Sequence, residues 1–181
     1  MWLAVISLVV FGLGWATPSL ADQRDPRLDE LFEKLRVGTD DSEAVADEIQ
    51  EIWLIAPETG INILAARLTA AIDLGDAQTA AVLADHVTSL APHYGEGWML
   101  AGYAARLRED SNAARAAFTR ALALEPRHFN AHIALGNLAN AEGDTRAAFD
   151  HYEKALSLHP GLEDIRELAN RLRAAIGSQE I

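Results

Sequence analysis

Six histidines are the side chains in this sequence best suited by type to hold a metal or move a proton. His128 and His132 stand four apart, so a helix would present both on one face, the spacing zinc-binding helices use. The residues between them are Phe129-Asn130-Ala131, and the His-Glu-x-x-His arrangement is absent. His159 precedes a proline that would end a helix, a favourable place for a cation. His86, His93 and His151 have no partner by spacing. No serine lies in a Gly-x-Ser-x-Gly elbow, and Ser89, Ser111 and Ser157 fall at expected helix ends. Gly95-Glu96-Gly97 is too short for a phosphate loop and follows a helix rather than a strand. The chain has no cysteine, so thiolate metal sites, disulfides and a cysteine nucleophile are excluded. The expectation is a binding protein with no catalytic residues, no metal and no cofactor.

The elements that position these residues follow from composition. Half of the 181 residues are hydrophobic, alanine is abundant and aromatics are only 7%. Alanine loses no side-chain entropy on entering a helix, so such a composition favours helices. Net charge is −12, from 27 acidic and 15 basic residues. Nucleic acid and anionic membrane surfaces both need a positive field, so neither is an expected partner.

Residues 1–16 are apolar apart from Ser7 and glycines, and Thr17-Pro18-Ser19-Leu20-Ala21 then breaks the run with a small-x-small ending. That pattern predicts a secretory signal at 1–21, cleaved after Ala21, and a periplasmic or secreted bacterial protein. No Lys or Arg precedes the apolar run, a departure from the usual signal. The alternative is an uncleaved segment anchoring the chain at the inner membrane, and a membrane contact is expected only in that case.

The second half of the chain repeats itself at an interval of 34. Pro92, Pro126 and Pro160 recur at that spacing, as do Ala80, Ala114 and Ala148, and Gly102 pairs with Gly136. One copy reads Trp98-x2-Ala101-Gly102-x2-Ala105, then Ala114-x3-Phe118-x2-Ala121, then Pro126. The next reads His132-x2-Leu135-Gly136-x2-Ala139, then Ala148-x3-Tyr152-x2-Ala155, then Pro160. A weaker copy runs Leu64, Arg67-Leu68, Ala71, Ala80, Ala84, Val87, Pro92. Small residues let two helices approach, Phe118 and Tyr152 fill the space beside them, and proline ends each second helix. Trp98 is expected as a large buried anchor worth ~3–5 kcal/mol. Gly75-Asp76 and Gly143-Asp144 supply a helix stop followed by an N-cap, and Asp110-Ser111 does so without glycine.

These motifs resemble the tetratricopeptide repeat, by motif over residues 61–160 and by length and periodicity over 26–60. The resemblance implies an all-α fold, a right-handed α-solenoid of stacked antiparallel helical hairpins with a C-terminal capping helix. The expected layout is a degenerate hairpin at 22–60, repeats at 61–94, 95–128 and 129–162, a cap at 161–176 and a frayed tail at 177–181. Helices are expected near 26–37, 41–55, 60–73, 77–90, 94–107, 111–124, 128–141, 145–157 and 162–175. Asp40-x2-Glu43 reads as a capping box opening the second of these.

In arrays of this family the first helix of each hairpin lines an inner groove. Carried onto this register, the resemblance implies a lining of Asn62, Thr69 and Asp73, then Glu96, Met99, Tyr103 and Arg106, then Asn130, Ile133, Asn137 and Asn140. Such a surface suits an extended peptide or a partner helix. Asn137 falls where some arrays place a carboxylate-clamping asparagine, but the only lysines are Lys34 and Lys154, neither on the lining. Asp73 and Glu96 would instead tolerate a neutral or basic segment. The leading expectation is an exported scaffold or adaptor binding a protein or peptide through this groove. The alternative is a structural assembly factor, either membrane-anchored or self-associating through Trp53, Ile55, Leu31 or the terminal helix.

Overall fold

A computed structural model of the chain describes residues 25–38 and 41–179. The expected signal at 1–21 and the capping residue Asp40 lie outside the described residues. Within them the chain forms nine α-helices and no strand: α1 (Arg27–Val37), α2 (Ser42–Leu54), α3 (Thr59–Asp73), α4 (Ala77–Leu90), α5 (Gly95–Leu107), α6 (Ser111–Leu124), α7 (Phe129–Ala141), α8 (Thr145–Leu158) and α9 (Glu163–Gln179). Helix α9 continues to Gln179, through the segment expected to fray from Gly177.

The stops and starts have local causes. Gly75 and Gly143 take φ of 70° and 81°, ending α3 and α7 in a left-handed residue that glycine adopts without steric cost. Asp76, Asp110 and Asp144 then cap α4, α6 and α8, each carboxylate accepting at 3.0 Å from the backbone N–H three residues on. Between α5 and α6 the left-handed position is occupied by Glu109, with φ 58°. Asp41 stands at the N-cap position of α2 without a side-chain cap.

Helices pair as α3 with α4, α5 with α6 and α7 with α8, and each pair packs on the first helix of the next, ending on α9. This is an all-α solenoid of stacked hairpins. The fit inside each pair is close. A Cβ at Gly102 would lie 2.3 Å from Cε1 of Phe118, and one at Gly136 would lie 2.5 Å from Cε1 of Tyr152. In the first pair the volumes are exchanged: Leu68 stands at the register of Gly102 and Ala84 at that of Phe118, both buried in one cluster. The missing glycine in the weaker copy is therefore compensated by a smaller residue across the interface.

Trp98 is only half-buried; its indole N–H donates to the Pro92 carbonyl at 3.1 Å while its ring lies against the cluster around Phe118. The fully buried aromatic side chains of the repeats are Tyr94, Phe118 and Tyr152. Deep aromatic anchorage thus belongs to the second helices α6 and α8 and to the turn before α5, while Leu68 and Met99 are the fully buried large residues of the first helices α3 and α5.

The hairpin α1–α2 does not stack in line before α3. It folds back so that α1 packs on α8 and α2 on α5. Its apolar residues Leu28, Leu31, Phe32, Leu35, Ile49, Ile52 and Trp53 form a separate core that also includes Phe129 of α7. Trp53 and Leu31, expected as self-association residues, are buried in this core, whereas Ile55 is exposed. No helix among the described residues is long and apolar enough to cross a membrane.

Candidate functional site

The turns preceding α5, α7 and α9 each carry one bulky residue at a fixed register, Tyr94, His128 and Leu162, 34 apart, where α3 has Gly60. Helix α2 lies across these turns. Tyr94 donates its hydroxyl to the Leu54 carbonyl at 2.8 Å, and burial pushes its pKa up. His128 stacks on Trp53 with ring centroids 4.1 Å apart. Asn130 donates to Gln50 at 3.1 Å. At the far end, Ser42, Glu43 and Ala46 of α2 face Leu162 and Ile165 across a cleft. A 13-residue helix is about 20 Å long, enough to reach from the start of α5 past α7 towards α9.

Arg127 fastens α1 to the same edge. Its side chain donates to Glu125 at 3.0 Å and to Asp29 at 2.7 Å, and its guanidinium lies 4.6 Å above the Phe32 ring. Glu125 is only 3% exposed, and its carboxylate, hydrogen-bonded to the guanidinium, raises the Arg127 pKa. Two buried nitrogens at this junction, Nε1 of Trp53 and Nδ1 of His128, have no hydrogen-bond partner.

Between α2, α7 and the α8–α9 turn the hairpin leaves a cleft of about 620 Å³. Its accessible apolar surface comes from Ile133 of α7, Leu162 and Ile165, with the buried Phe129 and Ala46 behind them. Its rim carries Glu43 and Asp47 on one side and Glu163 and Asp164 on the other. His159 also lines it, edge-on to Phe129 at 5.3 Å, with Nδ1 accepting from the Gly161 N–H at 3.3 Å. Burial lowers the His159 pKa, so this residue is a neutral wall and not the helix-end cation its position suggests.

The eleven expected groove residues separate into three groups. Asn130 and Ile133 line the cleft. Tyr103, Arg106, Asn137 and Asn140 lie beyond the cleft, with Arg106 and Asn137 bordering a smaller depression of about 240 Å³. Tyr103 is half-buried, edge-on to Phe118 at 5.3 Å, and burial raises its pKa. Asn137 is exposed and accepts from the Tyr152 hydroxyl at 2.8 Å. The others are turned to structure or stand apart. Met99 is 1% exposed and belongs to the core around Phe118, so it does not line a groove. Asn62 accepts from the Ala56 N–H at 2.8 Å and so fixes the α2–α3 connection. Thr69 donates back to the Ala65 carbonyl, and Asp73 is exposed at the end of α3. Glu96 accepts from His128 Nε2 at 3.2 Å.

His128 and His132 do not share a site, since His128 faces Glu96 and Trp53 while His132 meets His151, Nδ1 to Nδ1 at 3.2 Å. Burial, then the His151 charge, pushes the His132 pKa down to about 4. Among the described residues no three metal-ligating side chains gather. Sequence reasoning missed Glu43, Asp47, Gln50, His159, Leu162 and Ile165 as cleft residues. The signal was the bulky series Tyr94, His128, Leu162, which no helix-to-helix packing rule within a repeat requires.

Comparison with known proteins agrees with this architecture. A profile described as tetratricopeptide repeat matches residues 95–128 and 129–161. The chain is 26% identical over 148 residues to a TPR repeat-containing protein of Rhizobium etli, an alignment spanning 81% of this chain and 72% of that relative.

Proposed function

We propose that this chain, whose residues 95–161 match the tetratricopeptide repeat, is an exported interaction scaffold that binds a protein or peptide segment along its inner face. Repeats of this kind generally mediate protein–protein interaction. The observation that carries the reading here is the composite cleft, where Ile133 of α7 stays partly open between α2 and α9, beside Leu162 and Ile165. Concave, partly apolar surfaces with a few polar groups suit peptide recognition. The role is scaffolding without catalysis, as is typical of the family.

A photo-crosslinking residue placed at Asn137, compared with one at the exposed Arg120 of α6, tests the face used. Discrete adducts from position 137 and none from 120 are expected; equal adducts from both positions would remove the inner face from the account. Export is proposed from the apolar segment and the Ser19–Ala21 pattern. Mass spectrometry of the native protein is expected to find Asp22 as its first residue. An intact N-terminus in the membrane fraction would replace export by anchoring.

A further inference from the structure

The cleft has two features that select among peptides. Its floor is partly apolar, and α2 is set at its edge by the contacts of Trp53 with His128 and of Gln50 with Asn130. Its rim is acidic on both sides, with no arginine or lysine among the lining residues. Glu163 is partnered by Arg166 at 3.2 Å. Glu43, Asp47 and Asp164 are exposed and have no ion-pair partner among the described residues.

Elsewhere the surface is mixed: Asp73 and Asp85 are likewise exposed without an ion-pair partner among the described residues, whereas other carboxylates are paired. Glu30, Glu33, Glu142, Glu153 and Asp150 each have a cation within 4.0 Å. Around the cleft carboxylates from α2 and from α9 line one partly apolar concavity, an arrangement in which like charges add to a negative field. A neutral or acidic peptide would gain only the apolar contact; a basic one gains both.

We propose that the cleft between α2, α7 and α9 binds a cationic peptide segment carrying one apolar anchor, which sits on Ile133, Leu162 and Ile165 while flanking Lys or Arg side chains meet Glu43, Asp47 and Asp164. The proposal rests on the inner-face reading above and narrows it. One wall of the site lies outside the repeats, so recognition depends on the hairpin as well as on the solenoid. Charge supplies the approach and register; the anchor supplies most of the residence time.

The test is fluorescence anisotropy with the protein as purified and a short fluorescein-labelled peptide in which Leu-Phe is flanked on both sides by Lys and Arg. Saturable binding that weakens with added salt is expected. Replacing Leu-Phe by Ser-Ser in the peptide should abolish saturation. The double variant Glu43→Gln, Asp47→Asn should weaken binding by about two- to thirtyfold, as expected for two exposed charge pairs. Ile133→Ser should weaken it at least as much, and Asp85→Asn on the outer helix α4 should leave it unchanged, with circular dichroism the same in all. No saturable binding, equal binding of the Ser-Ser peptide, or an unaltered affinity in the Gln/Asn variant each overturns the proposal. If crosslinking at position 137 still gives discrete adducts in that event, the inner-face reading survives without the cationic partner. Loss of both results removes the two together.

Discussion

Single residues in this chain are best judged against their counterparts 34 positions away. Gly75 and Gly143 hold the left-handed turn in two pairs, and Glu109 holds it in the third at φ 58°. A side chain there carries a steric cost that glycine avoids, so Glu109→Gly is expected to stabilise the fold by about 1 kcal/mol despite a more flexible unfolded chain. Urea denaturation checks it; a loss of stability would mean that Glu109 makes a compensating contact. The opposite change is costly at Gly102. Alanine gains up to about 1 kcal/mol in helix propensity, but its Cβ would stand 2.3 Å from a Phe118 ring that is fully buried and cannot withdraw. Overpacking of this kind costs about 1–3 kcal/mol, so the clash wins and Gly102→Ala destabilises. The exchanged volumes of Leu68 and Ala84 indicate the remedy. Adding Phe118→Leu should recover part of the loss, giving a double mutant less destabilised than the sum of its singles. His132 sets a pH dependence. Burial and His151 depress its folded pKa from 6.5 to about 4, with Lys154 and His128 acting in the same direction. The unfolded chain therefore takes up this proton first as pH falls. Stability is fully present above about pH 6.5 and is lost as pH drops towards 4, by about 1–3 kcal/mol after allowing for partial exposure. His151 and His159, also depressed, act with the same sign. His132→Phe should flatten the decline in urea midpoint between about pH 7 and about pH 4.5; an unchanged slope would assign the effect to other groups.

At the scale of elements, α2 has an apolar face of Ala46, Ile49 and Trp53 that must be covered, and its destination decides the shape of the site. Removing the Trp53 side chain should cost about 3–5 kcal/mol, since it is 3% exposed and touches α1, α7 and the His128 ring. Trp53→Phe should cost much less, because it keeps the ring contacts and removes a buried N–H that has no partner. A Phe variant as unstable as the Ala variant in chemical denaturation would show that the indole N–H is satisfied after all. The nine helices were legible in the sequence to within one or two residues, apart from the end of α9, because prolines, Gly-Asp pairs and apolar spacing are local signals. The course of the hairpin was not. Its apolar residues say that it is buried, and nothing in their spacing distinguishes stacking before α3 from crossing the turns ahead of α5, α7 and α9. The groove suffered from the same limit. Register placed Asn130 and Ile133 beside a cleft, yet it could not show that Met99 would be enclosed by Phe118 and Leu135 or that Asn62 would be engaged by the Ala56 backbone.

For the whole molecule, the hairpin changes the coupling between units. In a simple solenoid each repeat touches only its neighbours, and stability is a sum of local terms. Here Tyr94, His128, Asn130 and Arg127 connect one hairpin to two successive junctions, and α1 reaches α8 as well. Loss of the hairpin should therefore loosen α5 to α8 together, and unfolding of those elements should be a single event. Trp53 and Trp98 allow this to be measured separately. Trp53 reports the hairpin junction and Trp98 the packing of α5, once Trp2 and Trp15 are removed by processing or replaced by Phe. In forms retaining only one of the two, the urea transitions are expected to coincide. Arg127→Ala should break the coupling. It leaves the buried Glu125 without its guanidinium and releases Asp29 and Phe32 of α1, costing about 2–4 kcal/mol. In that background the Trp53 transition should move to lower urea than the Trp98 transition. Transitions already separate without the Arg127 change would mean that the hairpin rides on the repeats without bracing them, and that the α2 wall of the cleft can open while the solenoid stays folded.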